Sequence, residues 1–133
     1  MSTKSSETVV YYFSNKELSI QELKLYYKQL PSVIQVVYNN QMDIIDVHSS
    51  IKHKGYATAL LVYASKEAIK KGISIITLDD CSDNWNKPHN IYIKIGFEYI
   101  DSSSGPEMKG NAECISNYPS KTKLEFKIFK HVI

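Results

Sequence analysis

The chain has no arginine: all sixteen of its cationic side chains are lysines. Any anion it binds must be held by backbone N–H groups, lysine, histidine or hydroxyls, because the planar guanidinium fork is missing. The same composition holds sixteen isoleucines, ten tyrosines and eight asparagines, the bias an AT-rich coding sequence produces. Cysteine is scarce. Cys81 and Cys114 lie 33 positions apart with no Cys-x-x-Cys pair, so they read as reduced thiols, and no disulfide scaffold is indicated. With the four histidines they show no metal-ligand spacing, so no metal is expected. Five glycines and four prolines in 133 residues exclude collagen-like and low-complexity chains. No apolar run reaches the roughly 20 residues of a membrane helix. The short N-terminal tail, residues 1–7, lacks the apolar core of a signal peptide, so a cytoplasmic protein without a membrane partner is expected. An excess of one charge is missing too. The net charge of +2 is too small to argue for nucleic acid, and no nucleic-acid partner is expected.

What is present fits one mixed α/β domain. Thr8 to Phe13 is β-branched and aromatic and predicts a strand. Ser14 with Glu17, and Ser19 with Glu22, both fit a capping box ahead of a helix carrying Ile20, Leu23, Tyr27 and Leu30, which Pro31 stops. Val33 to Tyr38 and Met42 to Val47, joined by Asn39-Asn40, read as a hairpin. Gly55 opens a helix whose apolar face is Ala57, Leu60, Leu61, Ala64 and Ala68, with Gly72 closing it. Ile73 to Leu78 is an apolar run, the mark of a strand buried on both faces. A polar loop, 79–86, is followed by a short helix from Pro88 to Ile95, a break at Gly96 and a strand from Phe97 to Ile100. The Ser-, Gly- and Pro-rich stretch 102–121 reads as one long loop. Thr122 to Phe129 alternates, with Leu124, Phe126 and Ile128 on one face, and closes the sheet. The order is β–α–β–β–α–β–α–β–loop–β.

The chemistry concentrates between Val47 and Thr58. A strand ends, a short basic loop with Lys52, His53 and Lys54 follows, and a long helix begins at Gly55. The first N–H groups of a helix point outward beside its positive end, and a glycine there lets a phosphate approach the backbone. A plain strand-to-helix turn with a solvated basic loop has the same residues. Neither a GxxxxGK[S/T] loop nor a GxGxxG motif is present, so nucleotide hydrolysis and dinucleotide binding have little support.

Lys52-His53-Lys54-Gly55-Tyr56-Ala57 resembles the Arg/Gln-x-x-Gly-x-Gly/Ala signature of the GCN5-related N-acetyltransferase (GNAT) family. Asn90 to Phe97 resembles that family's second signature, a helix with Tyr92 four residues before Gly96-Phe97. The likeness is good over residues 42–101. Before them it is one of element order, with one strand fewer than the family usually has and a single early helix instead of a pair. It implies a GNAT-like fold: a mixed central sheet of about six to seven strands with three or so helices. It also implies acetyl-CoA as cosubstrate and direct transfer of the acetyl group to a primary amine. The backbone from Lys52 through His53, Lys54, Gly55, Tyr56 and Ala57 to Thr58 would cradle the pyrophosphate. The Val47 N–H would polarise the thioester carbonyl, and strands 42–47 and 73–79 would splay to admit the pantetheine arm. Tyr92 would protonate the departing thiolate.

Asp43 is the candidate general base, since an acidic residue sits four positions before the valine in some sugar-amine acetyltransferases of the family. Strand alternation puts Asp43 on the face of Ile45 and Val47, and Asp46 on the other. A solvated strand charge is the rival reading for Asp43, and core packing beside Ile91 and Ile95 is the rival for Tyr92. His48, His53, Asp79, Asp80 and Trp85 lie in or beside loops and fit surface or capping roles as well as an acceptor site. The acceptor is open among sugar amines, small amines and protein amines. Ile76 to Ser82 with Pro106-Glu107-Met108 faintly resembles glucosamine-phosphate acetyltransferases, yet a sugar phosphate calls for cations that a chain without arginine supplies poorly. Many family members are homodimers, and the sequence does not decide this one. A non-catalytic acyl-CoA-binding or regulatory module on the same fold is the alternative reading.

Overall fold

The computed structural model describes residues 6–51, 54–79, 91–100, 107–120 and 125–133. Along the chain run β1 (Glu7–Ser14), α1 (Ile20–Tyr26) continuing into a 3-10 turn (Tyr27–Gln29), β2 (Val33–Tyr38), β3 (Met42–His48) and α2 (Tyr56–Lys70). Then come β4 (Ile75–Asp79), α3 (Ile91–Ile95), β5 (Glu98–Tyr99), β6 (Glu107–Asn111), α4 (Ala112–Ser116) and β7 (Lys127–Val132). The seven strands form one sheet in the order β5-β6-β4-β3-β2-β1-β7. Among the described residues only β3 and β4 pair in parallel; the other pairs are antiparallel. Among the described residues no helix is long and apolar enough to cross a membrane.

β1 is buried on both faces and divides the core. Val9, Tyr11 and Phe13 join a large cluster with Leu60, Leu61 and Ala64 of α2, Ile95 of α3 and Ile115 of α4. Val10 and Tyr12 point the other way, into a smaller cluster with Leu18, Leu23, Leu30 and Val33 under α1. Of the two candidate capping boxes, the one at Ser19 forms: Glu22 N–H donates to Ser19 Oγ (3.2 Å) and Ser19 N–H to Glu22 Oε1 (3.1 Å). Ser14 remains in β1, where its Oγ accepts from Lys16 N–H (3.3 Å). α2 ends in a Schellman turn, with Ile73 N–H donating to Ala68 O (2.9 Å) and Gly72 N–H to Ile69 O (3.0 Å).

Two expectations are corrected. The stretch 102–121 is not one loop, since it contains β6 and α4. β6 pairs along the whole of β4 and buries Met108 and Gly110 against the core while its other residues face out. A glycine at 110 hides this strand from sequence inspection, and packing explains it. A Cβ there would lie 2.5 Å from Ile115 Cδ1 and 3.0 Å from Phe97 Cδ1. The last strand is also later than expected, Lys127–Val132, and it lies on the far edge of the sheet beside β1. It is the register with β1, from Val9↔Val132 to Ser14↔Lys127, that sets this position, a non-local pairing with no local signature. Phe126 and Ile128 do share a face, both packing on the large cluster; Leu124 lies outside the described residues.

Candidate functional site

In the middle of the sheet, among the described residues, β3 and β4 pair at Met42↔Ile76, Asp43↔Thr77 and Ile44↔Leu78. Beyond Ile44, β3 stays paired to β2 as far as His48↔Val33, while Asp79, the last described residue of β4, pairs with Glu107 of β6. At Asp79, β4 thus follows β6 rather than β3. Among the described residues the edge of β3 from Ile45 to His48 has no strand beside it on the β4 side, the requirement for binding an extended ligand by strand addition.

A β-bulge sits next to the last of these pairs. The β2–β3 register passes from Val36↔Ile44 to Gln35↔Asp46, leaving Ile45 as the extra residue, 57% exposed. A bulge bends the strand and reverses the alternation beyond it. The expected facing is therefore corrected. Val47, opposite Ile34, packs on the large cluster, on the α2 side. Asp43 and Asp46, opposite Val37 and Gln35, both lie on the α1 side. Asp46 accepts a hydrogen bond from the Tyr27 hydroxyl (2.7 Å). Burial and then this carboxylate raise the Tyr27 pKa. His48 reaches the same side, with Nε2 3.0 Å from Lys28 O.

The turn into α2 is fastened to the start of β2. Ser50 Oγ donates to Leu30 O (2.6 Å), and Ser32 and Ser49 hydroxyls meet at 2.8 Å. Gly55 caps α2 with φ 78°, a left-handed conformation that side chains with a Cβ adopt only with strain. Ala59 N–H is the first to bond back, to Gly55 O (3.0 Å). The helix ladder offers no acceptor to the N–H groups of Tyr56, Ala57 and Thr58, so they can serve an anion. Tyr56 contributes backbone only. Its ring is buried and meets Phe13 (5.1 Å) and Phe126 (5.9 Å) edge-on, which anchors the helix start to the core. Lys54 and Gly55 are exposed, and Ala57 and Thr58 are half-buried. Lys52 and His53 lie outside the described residues, as do Asp80, Cys81 and Trp85. Cys114 is exposed and free.

Tyr92 is half-buried on α3 against the large cluster. Its carbonyl accepts from Phe97 N–H (2.9 Å), Gly96 N–H donates to Ile93 O (3.2 Å), and the Tyr92 and Phe97 rings meet at 6.0 Å and 86°. This is a Schellman turn with its apolar contact, and Gly96 has the positive φ (126°) it needs. The Tyr-x-x-x-Gly-Phe spacing therefore has a structural cause independent of any role for the hydroxyl.

On the opposite face lies a cleft of 330 Å³ lined by Gln41, Asp43, Thr77, Asp79, Ile100 and Glu107, among others. Asp43 Oδ1 accepts from Gln41 Nε2 (2.9 Å) and from Thr77 Oγ1. Sequence inspection missed Thr77 and Gln41, which meet Asp43 only through the β3–β4 pairing and the turn before β3. It connected Glu107 with the site only through a faint likeness, because β6 was hidden. Val47 and Tyr92 thus stand on one face of the sheet and Asp43 on the other. No group of His, Cys, Asp and Glu suited to a metal ion occurs among the described residues.

A mixed seven-stranded sheet with two parallel strands at its middle, and a glycine-capped helix after the first of them, defines a single-domain α/β class. Solved structures narrow it. One similar structure is the PaiA N-acetyltransferase from Thermoplasma acidophilum in complex with coenzyme A. It has a TM-score of 0.53 and 26% identity, with 62% of this chain and 54% of that chain covered. Another is an acetyltransferase from Bacillus cereus (TM-score 0.54, 17% identity, 82% and 73% covered). A third is a KacTA–DNA complex (TM-score 0.53, 8% identity, 80% and 95% covered). These likenesses show that the chain has the fold of the GCN5-related N-acetyltransferases. The chain spans little more than half the length of the Thermoplasma structure. No family model matches the chain, and neither does any curated protein.

Proposed function

We propose that the protein is an acetyl-CoA-dependent N-acetyltransferase that transfers acetyl directly to a primary amine in a ternary complex. The observation that carries this reading is the edge of β3 beyond the Ile44↔Leu78 pair, directly ahead of the glycine-capped start of α2. The coenzyme A bound in the Thermoplasma neighbour supports it.

In this reading the N–H groups at the start of α2, together with Lys52, His53 and Lys54, hold the pyrophosphate. The pantetheine arm lies along the free edge of β3, and the Val47 N–H polarises the thioester carbonyl. The amine enters from the α1 side, where the carboxylates of Asp43, Asp79 and Glu107 suit a positively charged acceptor. Asp43 accepts a proton from the ammonium group. The neutral nitrogen attacks the carbonyl carbon, the C–N bond forms, the C–S bond breaks, the Tyr92 hydroxyl protonates the thiolate, and the second proton leaving the nitrogen passes through solvent to restore the phenol. No acyl-enzyme intermediate is involved. Sugar amines, small amines and protein amines all remain within this class.

The test is thiol release from acetyl-CoA over a panel of polyamines, amino sugars and peptides. Turnover of at least one amine supports the reading. Tight coenzyme A binding without turnover of any amine favours a non-catalytic acyl-CoA-binding module instead.

A further inference from the structure

Asp43 is held in an unusual way for a strand carboxylate. Two side chains from different segments, Gln41 from the hairpin turn and Thr77 from β4, both donate to the same oxygen, Oδ1. Among the described residues Oδ2 takes no hydrogen bond, and Asp43 lines the cleft. We infer that Thr77, with Gln41, is a positioning residue that locks the Asp43 carboxylate by one oxygen and leaves the other to meet the acceptor amine. The inference rests on the acetyl-transfer reading above and adds to it the residue that aims the base.

The placement follows from the sheet. Asp43 and Thr77 are register partners in the short parallel ladder, one step before its last pair. The contact therefore sits where β3 and β4 are fixed to each other. A carboxylate with two donors on one oxygen has its rotamer set before substrate arrives, and preorganisation of this kind reduces the ordering needed at the moment of reaction. Other charged groups on this face are Asp79 on β4, and Glu107 and Lys109 on β6; Asp46 on β3 itself is engaged by Tyr27.

The experiment compares Thr77→Val, Thr77→Ser and Asp43→Asn with the unaltered protein. Thr77→Val keeps the shape and removes the donor. It should lower kcat/KM for the amine by about tenfold, the loss of one charge-assisted hydrogen bond. Coenzyme A affinity should not change. Thr77→Ser should restore the rate. In an Asp43→Asn background Thr77→Val should cost nothing further. Independently of turnover, a crystal structure of Thr77→Val should show the Asp43 carboxylate turned out of the orientation it holds against Thr77. An unchanged Asp43 orientation, or an equal loss in the Asn background, overturns the inference. Failure of the unaltered protein to acetylate any amine overturns the acetyl-transfer reading instead, while the crystal structure still decides whether Thr77 sets the carboxylate.

Discussion

The two faces of the sheet are finished differently. On one, α2 and α4 cover a continuous cluster that runs from Val9 and Phe13 through Leu60 and Leu61 to Met108 and Ile115. On the other, α1 and the 3-10 turn cover only a small cluster around Tyr12, Leu23 and Leu30. Beside it a groove of 670 Å³ remains open, lined by Val10, Ile20, Leu23, Leu25, Tyr27 and Ile133 among others. Leu25 is 71% exposed there. The polar cleft with Asp43 and Thr77 lies on this open face. The difference teaches a division of labour. The covered face holds the helix start and the bulge in fixed relation, while the open face keeps a groove and a polar cleft.

The comparison is broken most easily by truncation. Leu60 is fully buried in the covered cluster, and Leu60→Ala should cost roughly 3–4 kcal/mol in urea unfolding, because close-packed neighbours on every side cannot collapse into the space. Leu23 is nearly as buried but lines the open groove. Leu23→Ala should cost nearer 2 kcal/mol, at the low end of the range, since one wall of its site is already open. Equal losses would show that the two faces are equally tight.

Two substitutions sharpen the division at the site. Tyr92→Phe keeps the ring contact with Phe97 and the backbone turn, so it tests the hydroxyl alone. A general acid there predicts a fall in kcat of about a hundredfold with unchanged melting temperature and coenzyme A affinity. Unchanged turnover would leave Tyr92 a purely structural residue. Gly55→Val places a β-branched side chain in a left-handed conformation, a strain of roughly 2 kcal/mol, and blocks the approach to the α2 start. Calorimetry should show coenzyme A binding abolished while the folded signal survives.

A further test uses alkali. Burial pushes Tyr11 up to about 12, and raises Tyr38, which shares a hydrogen bond with it at 2.7 Å on the covered face. Burial also raises Tyr12 and Tyr27 on the open face, with Asp46 adding to Tyr27. In each case the folded chain favours the neutral phenol. Stability is therefore fully present below the ordinary tyrosine pKa near 10 and declines as pH rises from there through the folded values. Urea midpoints from pH 7 to 11.5 should be flat to about 10 and fall beyond it. A flat profile to the end would mean that the phenols are not held neutral by burial.

Most of this architecture was legible where the physics is local. The capping box at Ser19 and the apolar face of α2 follow from spacing alone, and Gly55 announces the helix start. The apolar run before Asp79 announces a strand, but not one buried on both faces: Ile76 and Leu78 are buried, whereas Ile75 and Asp79 are exposed. The rest depends on pairing between distant segments. The bulge at Ile45 exists only in the β2–β3 register, so strand alternation placed Val47 and Asp46 on the wrong faces. β6 was hidden because Gly110 is dictated by Ile115 and Phe97 rather than by a turn. Thr77 meets Asp43 across 34 positions of sequence, a contact that no motif records.

The smallest expected effect returns to the missing arginine. Position 52 carries lysine where the family signature has arginine or glutamine, and the residue lies outside the described region. A lysine is a single point charge without the bidentate fork of an arginine. Lys52→Ala should therefore weaken coenzyme A by no more than about 1 kcal/mol, a loss that shrinks further at high salt. The N–H groups of Tyr56, Ala57 and Thr58 belong to a helix whose first turn is anchored by the buried Tyr56 ring, and this backbone contribution does not depend on the lysine. Comparable losses from Lys52→Ala and Gly55→Val would reverse the assignment and make the loop side chain, rather than the rigid helix start of the covered face, the holder of the pyrophosphate.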